Sequence, residues 1–138
     1  MPISLIMFDL DNFKILNDKL GHQHGDEVLS MVAQIIQKTI RKSDVAARYG
    51  GEEFCIILPH TDVDGSVFIS ERIRKSINDK KIGDYKISAS FGMSTFKFSK
   101  KGRINVHMIM NQIIAEADQA LFNSKRNGKN IVTHYNNI

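Results

Sequence analysis

Four acidic residues occupy positions in the sequence from which their carboxylates could bind a metal ion. Asp9 and Asp11 directly follow the apolar run 3–8, and Glu52 and Glu53 follow two consecutive glycines. Carboxylate oxygens are the ligands that hard cations such as Mg²⁺ prefer in proteins. If the segment that carries Glu52 pairs with the strand that ends at Asp9, the two side chains can share a metal ion. Other interpretations stay open at this point, because Asp11 could equally cap the following helix and adjacent glutamates in a turn could simply be solvated.

The pattern of apolar side chains predicts the elements that position the first two carboxylates. The run 3–8 predicts a buried strand that delivers them at its C-terminal end. A short helix over about 12–20 should follow and end at Gly21 as a C-cap glycine. We expect Asp26 to cap a second helix, whose apolar stripe comprises Val28, Leu29, Val32, Ile35, Ile36 and Ile40.

The glycine pair at 50–51 predicts a β-hairpin with both glutamates at its tip. Residues 44–49 and 54–58 have the composition of strands, and two glycines permit the positive φ angles of a tight turn. Downstream, the pattern predicts a helix over 63–78, a strand over 85–95, a helix over 105–127 that ends at Gly128, and a strand over 131–135. This order, with a hairpin in the middle, favours an α+β fold in which helices cover one largely antiparallel sheet.

Length and composition fit one domain with an anionic ligand. The chain has 138 residues, a formal net charge of +4 and 25% charged residues, and such a basic balance favours nucleotides, nucleic acid or acidic lipid as ligands. The cluster Lys97, Lys100, Lys101 and Arg103 is best interpreted as a solvated loop. No apolar run approaches the ~20 residues that cross a bilayer, and a secretory signal is lacking, so we expect a cytoplasmic protein. The single cysteine, Cys55, lies in an apolar run and predicts a small core side chain rather than a nucleophile or ligand.

Four segments of the sequence together resemble the signature motifs of the GGDEF family of diguanylate cyclases. The segment 48–54, Arg-Tyr-Gly-Gly-Glu-Glu-Phe, is similar to the motif that names the family, in its Gly-Gly-Glu-Glu-Phe form. The other three agree with it in order and spacing: Phe-Asp-Leu-Asp-Asn-Phe-Lys at 8–14, Asn-Asp and Gly-His-Gln-His-Gly-Asp within 17–26, and Ala-Asp-Gln-Ala-Leu at 117–121 with Lys125 and Gly-Lys-Asn at 128–130. The resemblance covers almost the whole chain.

The resemblance implies a palm-like α+β fold, related to nucleotidyl cyclases and polymerases, and a specific metal and guanine site. The Asp9 carboxylate, the Leu10 backbone carbonyl and Glu52 match the positions that hold Mg²⁺ or Mn²⁺, with two ions per active site. Asn17 and Asp26 match the residues that read guanine. An aspartate accepts hydrogen bonds from the N1–H and N2 amine of guanine, and adenine offers no such pair of donors.

The resemblance also implies roles for basic residues near the phosphates. Lys14 matches the lysine that neutralises phosphate charge in the transition state, and Lys125 and Lys129 match positions that meet the phosphates. Lys129 departs from the family pattern, in which Arg is frequent, and a lysine lacks the bidentate fork of a guanidinium, so we expect a weaker grip on phosphate. His22 matches a position that lines the nucleotide, with a turn histidine bonded to backbone as the alternative.

The implied reaction condenses two GTP molecules into cyclic di-GMP and releases two pyrophosphates. Each domain binds one GTP, so two domains must face each other as a two-fold homodimer with antiparallel nucleotides. The two metal ions clamp the attacking 3′-oxygen and the triphosphate, and Glu52 or Glu53 is a candidate proton acceptor.

A further motif resembles the product-inhibition site of the family. Arg41 and Asp44 form an Arg-x-x-Asp tetrapeptide that five residues separate from Gly50, and Arg72 resembles another arginine of that site. The resemblance implies that these residues bind cyclic di-GMP and inhibit the enzyme. The tetrapeptide alone is common, and Asp44 could merely start a strand.

We expect residues 1–138 to form one GGDEF domain of a larger regulated protein. The chain begins at the first strand, whereas family members usually carry a preceding helix and loop with an Asp-x-Leu-Thr motif, together with sensor or receiver domains. Two other functions stay open. A non-catalytic sensor of GTP or cyclic di-GMP is disfavoured by the intact acidic and basic positions, and a nucleic-acid-binding domain is disfavoured by the lack of a clustered basic face. We expect no nucleic-acid or membrane contact by this domain.

Overall fold

The computed structural model describes residues 1–99 and 103–138, which form a mixed sheet with helices on both faces. Within these residues, the main sheet has five strands in the order β2-β3-β1-β6-β7, and every pair is antiparallel except β6 with β7. This architecture confirms the α+β fold and the largely antiparallel sheet that the sequence predicts. The elements are β1 Pro2–Leu10, α1 Phe13–Leu20, α2 His22–Thr39, β2 Val45–Arg48, β3 Glu53–Pro59, α3 Val63–Asn78, β4 Lys81–Ile82, β5 Tyr85–Lys86, β6 Ala89–Lys97, α4 Val106–Arg126, β7 Val132–His134 and a closing 3-10 turn, Tyr135–Asn137.

Alternation along the central strand β1 divides the core into two clusters. Ile6 and Phe8 belong to the larger cluster, which α1, α2 and α3 cover, whereas Leu5 and Met7 pack with residues of α4 on the opposite face of the sheet. Because successive side chains of a strand point to opposite faces, Asp9 shares the α4 face with Leu5 and Met7. The helix that covers this face therefore decides which groups can reach Asp9.

The register of the sheet is held by stacked aromatic rings. Phe8 stacks on Phe54 of β3 and on Phe91 of β6, with ring centroids 5.0 Å and 4.6 Å apart. In this register Asp9 lies directly opposite Glu53 on β3. A slip of one residue would turn every side chain of β1 to the other face, so the stack also fixes which carboxylates meet.

The backbone of α4 packs directly on β6 at Gly92. A Cβ at this position would overlap the backbone nitrogen of Leu121 and the carbonyl oxygen of Ala117. Glycine is therefore required here by the close approach of a helix backbone, because neither overlapping group belongs to a flexible side chain.

Replacing Gly92 with alanine is expected to destabilise the domain by about 3 kcal/mol, the upper part of the usual range for overpacking. Chemical denaturation of the two proteins gives the difference in the free energy of unfolding. Gly51→Ala serves as the control, because its Cβ would meet no described atom within 4 Å, and its stability should stay within about 0.5 kcal/mol of the parent. Equal stability of Gly92→Ala and the parent would contradict this packing.

One helix boundary predicted from the sequence is wrong. Asp26 does not cap α2, because the helix already begins at His22 with Gly21 in the N-cap position. Gly21 ends α1 as predicted, and its backbone N–H donates to the carbonyl of Asn17. A single residue therefore joins the two helices, which leaves Asp26 one turn inside α2 with its carboxylate exposed.

The predicted strand over 85–95 is two strands in the structure. β5 pairs with β4 in a small hairpin of its own, and β6 begins only at Ala89. The break falls at Ile87 and Ser88, where Ile87 enters the larger core cluster and the backbone carbonyl of Ser88 accepts a hydrogen bond from the N–H of Asp11. This contact ties the end of β1 to the start of β6.

Two smaller predictions have mixed outcomes. Cys55 packs at the edge of the α4 cluster but is only half-buried. Of the predicted solvated loop, Lys97 ends β6 and Arg103 is exposed, while Lys100 and Lys101 lie outside the described residues. Among the helices that the structure describes, none is long and apolar enough to cross a membrane.

Candidate active site

The structure places the two acidic pairs at one corner of the sheet. β1 ends beside the start of β3, so that Asp9 is opposite Glu53 and the N–H of Leu10 donates to the carbonyl oxygen of Glu52 at 3.4 Å. Residues opposite each other in an antiparallel pair share a face, which puts Asp9 and Glu53 on the α4 side of the sheet. The pairing of hairpin and first strand is thus the one that a shared metal site requires.

Burial and mutual repulsion make this corner unfavourable for negative charge. Burial raises the pKa of Asp9, with Asp11 and Glu52 adding to the rise, while Lys125 opposes it. Burial likewise raises the pKa of Glu53, and the charges of Asp9 and Glu52 raise it further. A cation bound between these carboxylates would relieve the repulsion, since an opposite charge favours the ionised form.

The donor set fits a hard divalent cation. Among the described residues, no group of three or more His, Cys, Asp or Glu side chains is suited to hold a metal. Two carboxylates, from Asp9 and Glu52, and the adjacent Leu10 carbonyl are oxygen donors, and Mg²⁺ is typically held by one or two carboxylates together with water and substrate phosphates. The buried Oδ1 of Asp9 has the ion pair with Lys125 but no hydrogen-bond partner otherwise among the described residues. It is therefore available to a cation that displaces the lysine.

Lys125, near the C-terminal end of α4, lies between Asp9 in β1 and Asp11 just after it. Its Nζ pairs with Oδ1 of Asp9 and lies 3.0 Å from Oδ1 of Asp11. Burial would lower the pKa of Lys125, but both aspartates outweigh that effect and raise it. This lysine, which the resemblance assigns to the phosphates, thus carries its charge at the acidic corner.

Asp11 does not cap α1, which was one of its possible roles; it is buried and saturated with hydrogen bonds. Oδ2 accepts from Ser88 Oγ at 2.7 Å and from the N–H of Asn130 at 3.0 Å, while Oδ1 accepts from Ser90 Oγ at 2.6 Å and from Lys125. Burial alone would raise the pKa of Asp11, but the bonds from Ser90, Ser88 and Lys125 outweigh it and hold that pKa below its usual value.

Sequence reasoning missed Ser88, Ser90 and Asn130 as part of this site. The available signal was the spacing of Ser88 and Ser90, which puts two hydroxyls on one face of the predicted strand. Serines inside a buried strand need partners, but the sequence pattern does not say which residue supplies them.

The other two lysines of the predicted phosphate site differ in their surroundings. Lys129 Nζ donates to Asn12 Oδ1 at 2.9 Å, which holds it beside the start of α1. Lys14 is exposed in the first turn of α1 and has no hydrogen bond or ion pair with any residue of 1–99 or 103–138. Its ammonium group is thus free to meet a ligand.

The predicted guanine residues gather where α1 meets α2. The side-chain amide of Asn17 lies 3.1 Å from Nδ1 of His22, and Asp26 follows His22 by one helical turn on the same face of α2. Gly25 is buried against Asn17, and a Cβ on it would overlap the Asn17 amide oxygen. Asp26, with Leu29, also lines a cleft of about 400 Å³ between α2 and β2. A base could enter there with Asp26 at its edge.

The predicted inhibitory residues are only partly brought together. The Arg41 guanidinium binds the buried carboxylate of Asp44 at 3.2 Å, and it also donates to Pro59 O at 2.8 Å and Thr61 Oγ1 at 2.7 Å. Arg72 is exposed on α3 with its guanidinium over the ring of Phe68. Among the described residues, no hydrogen bond or ion pair joins Arg72 to Arg41 or Asp44. Asp44 does not start β2, which begins at Val45.

Comparison with known proteins gives consistent matches over nearly the whole chain. Residues 1–131 match the family model described as diguanylate cyclase, GGDEF domain. The chain is 41% identical over 135 residues to diguanylate cyclase A of Treponema denticola, covering 95% of this chain and 34% of that protein.

Two solved structures share the fold at similar identity. The active GGEEF domain of a diguanylate cyclase from Vibrio cholerae has a TM-score of 0.86 and 35% identity, covering 98% of this chain and 83% of that one. The GGDEF domain of DgcB from Caulobacter crescentus, solved in complex with c-di-GMP, has a TM-score of 0.84 and 33% identity, covering 98% and 78%. The chain spans only 22% to 34% of the length of the first curated relatives it matches.

Proposed function

Because this chain belongs to the diguanylate cyclase GGDEF domain family, we propose that it condenses two GTP molecules into cyclic di-GMP and two pyrophosphates. The observation that carries the proposal is the corner where Asp9 faces Glu53, with Glu52 beside them and Lys125 between Asp9 and Asp11. It combines oxygen donors for cations with cationic side chains for phosphates, and phosphoryl transfer requires both kinds of group.

Each residue of the corner has a role in this proposal. Asp9, the Leu10 carbonyl and Glu52 hold two Mg²⁺ or Mn²⁺ ions. When bound, these ions lower the pKa of the attacking 3′-hydroxyl and neutralise the triphosphate. The raised pKa of Glu53 suits it to accept the proton of that hydroxyl. Its position opposite Asp9 supports this role.

The basic side chains act on the phosphates from two directions. Lys125 and Lys129 come from α4 and the turn after it, and both are held by acceptors at the end of β1. Lys14 comes from α1 with its ammonium group unengaged among the described residues. We propose that Lys14 swings onto the phosphates when charge develops, whereas the other two are held in place beforehand.

Guanine selection is assigned to Asn17 and Asp26. The carboxylate of Asp26 accepts from N1–H and the N2 amine, and Asn17, which packs on Gly25 and bonds to His22, offers an amide to the same base. Rejection of adenine follows, since an unpaired polar group in the pocket would be costly. His22 serves as the support of Asn17.

One domain binds one GTP, so the reaction requires two copies of the domain. We propose a two-fold dimer in which each copy presents its corner to the nucleotide of the other. We also propose that residues 1–138 are one catalytic domain of a longer protein, whose sensor or receiver segments bring two copies together in the cytoplasm, where GTP is available.

The proposal is tested by incubating the protein at high concentration with GTP and Mg²⁺ and separating the products by chromatography. Cyclic di-GMP and pyrophosphate should appear in a ratio of one to two, with a specific activity that rises with protein concentration because two copies must meet. Binding of GTP without product at any concentration would favour a non-catalytic sensor and refute the cyclase.

Feedback inhibition by cyclic di-GMP gives a separate prediction. Arg72→Ala should raise the product concentration for half-inhibition by about tenfold or more, since a charge-assisted hydrogen bond contributes roughly 1.5–3 kcal/mol, while the initial rate stays unchanged. Arg72 is the better residue to replace, because Arg41 also donates to Pro59 and Thr61. The loss of Arg41 would therefore destabilise the fold. Lys75→Ala, another exposed cation of α3, is the control. Equal inhibition of Arg72→Ala and the parent would remove Arg72 from the site.

A further inference from the structure

We propose that Asp11 is a positioning residue that acts through Lys125 and Lys129, and that it does not bind the metal. The inference rests on the proposed function, because it assigns Asp11 a part in binding the triphosphate.

Asp11 has no acceptor capacity left for a cation. A carboxylate offers about four lone-pair sites, and each oxygen of Asp11 already accepts two hydrogen bonds. Its side chain is 2% exposed, whereas that of Asp9 is 19% exposed. The two aspartates therefore differ: the carboxylate of Asp9 is partly exposed at the corner, and that of Asp11 is enclosed.

The donors to Asp11 come from three segments that are distant from it in the chain. Ser88 and Ser90 lie on either side of Ala89, the first residue of β6, Lys125 is at the end of α4, and Asn130 is in the turn beyond α4. These segments lie 77 to 119 residues from Asp11 along the chain. Asp11 thus joins all three segments at the edge of the active site.

The turn after α4 has a strained backbone. Lys129 and Asn130 both have positive φ angles, 61° and 51°, and each such residue costs of order 1–3 kcal/mol unless its surroundings hold it. Here the N–H of Asn130 donates to Asp11 Oδ2 at 3.0 Å and lies 3.1 Å from Ser90 Oγ. The amide oxygen of Asn130 accepts from Arg74 at 3.2 Å. Asp11 therefore holds the turn that aims Lys129.

Asp9 and Asp11 share Lys125. Its ammonium group contacts Asp9 and Asp11 together. When a cation takes Asp9, the contact with Asp11 remains and keeps the ammonium beside the phosphates. Without Asp11, the same lysine would be free to leave the site or to compete with the cation for Asp9.

The inference is tested with Asp11→Asn, in the parent and in a background where Lys125 and Lys129 are both methionine. Two ligands are titrated: guanosine 5′-[α,β-methylene]triphosphate with Mg²⁺, which cannot release pyrophosphate, and guanosine, which has no phosphate. Binding of Mn²⁺ alone is followed by electron paramagnetic resonance. Asp84→Asn, which removes an exposed carboxylate at the β4–β5 turn, is the charge control.

In the parent, Asp11→Asn should lower the affinity for the triphosphate analogue about tenfold, the loss expected for charge-assisted contacts, and leave the affinity for guanosine unchanged. In the methionine background, the same substitution should lower the affinity for the analogue less than about twofold, because residues that act as a unit are not additive. Mn²⁺ affinity should change less than about threefold, since a group that does not ligate acts only through a screened charge.

Three results would overturn the inference. They are a loss of Mn²⁺ affinity well above about 100-fold, the upper end for a group that only supports a metal ligand, an equal loss of analogue affinity in both backgrounds, or no loss in either. If Asp11→Asn does not fold, Ser90→Ala removes a neutral donor from the same oxygen that holds Lys125 and should show the same pattern at about threefold. Failure of the cyclase proposal is separate, because it would appear as a parent that does not bind the analogue.

Discussion

Replacing Glu52 with alanine is expected to lower cyclic di-GMP formation by at least about 1000-fold, the scale of losing a group that acts on transition-state charge. Glu52 follows the glycine pair and presents its carboxylate where β1 ends, with Asp9 close enough for the two charges to repel. Without it, Asp9 and the Leu10 carbonyl alone would hold the cations. The initial rate of product formation with GTP and Mg²⁺ measures the effect.

The same substitution should not destabilise the fold. Burial raises the pKa values of Asp9 and Glu53, and neighbouring carboxylates add to both, so the native protein without cations gains from the loss of one negative charge. A raised pKa of an acid means that stability falls as the pH rises through that pKa. Removing Glu52 should therefore leave the free energy of unfolding at pH 7 equal to or slightly above that of the parent.

Glu116→Ala is the matched control for this prediction. Glu116 lies on α4 with only Gln112 as a hydrogen-bond partner among the described residues, at 3.5 Å, and its loss should leave the rate within about twofold of the parent, as for surface substitutions. Retained turnover of Glu52→Ala, with a normal melting temperature, would remove Glu52 from the metal site and leave Glu53 as the acid that faces Asp9.

Replacing Asp26 with asparagine is expected to reduce the preference for GTP over ATP by about 100-fold or more, because a site built to hydrogen-bond a substrate rejects its analogue by even larger factors. An asparagine keeps the shape of Asp26 but replaces one acceptor oxygen with a donor, which opposes the N1–H and N2 amine of guanine. Binding constants for the α,β-methylene analogues of GTP and ATP give the ratio directly.

The control for base selection is Glu27→Gln, one residue further along α2, where the carboxylate lies 3.5 Å from His24 and is exposed. It should leave the GTP to ATP ratio unchanged. If Asp26→Asn keeps the parent's ratio, other residues recognise guanine, and the cleft between α2 and β2 is not the site that selects the base.

The sequence was sufficient for most of the elements and for the choice of the four acidic residues, because both depend on local patterns. Apolar periodicity identifies β1, α3 and α4, and the glycine pair identifies the hairpin that brings Glu52 and Glu53 to β1. The boundary of α2 was missed since the capping preference of Asp26 was given more weight than Gly21, which serves both helices. The β4–β5 hairpin was missed because its strands are two residues each, too short to show alternation.

The role of Asp11 could not be predicted, because its partners are far away in the chain. A local reading offers a helix cap or a metal ligand, whereas the structure shows a buried carboxylate bound by β6, α4 and the turn at Asn130. The same holds for Arg41, whose contacts with Pro59 and Thr61 make it part of the fold as well as of the predicted inhibitory site. In both cases the residue type was noticed and its long-range partners were not.

The central claim, that the corner of Asp9 and Glu52 binds divalent cations together with a guanine nucleotide, is tested most directly by titrating Mn²⁺ into the parent and Glu52→Ala in the presence of the α,β-methylene GTP analogue. Electron paramagnetic resonance counts the bound ions. The parent chain should bind two ions, as in other two-metal phosphoryl-transfer sites, and Glu52→Ala should lose both at the same concentrations. Equal Mn²⁺ binding by the two proteins would contradict it.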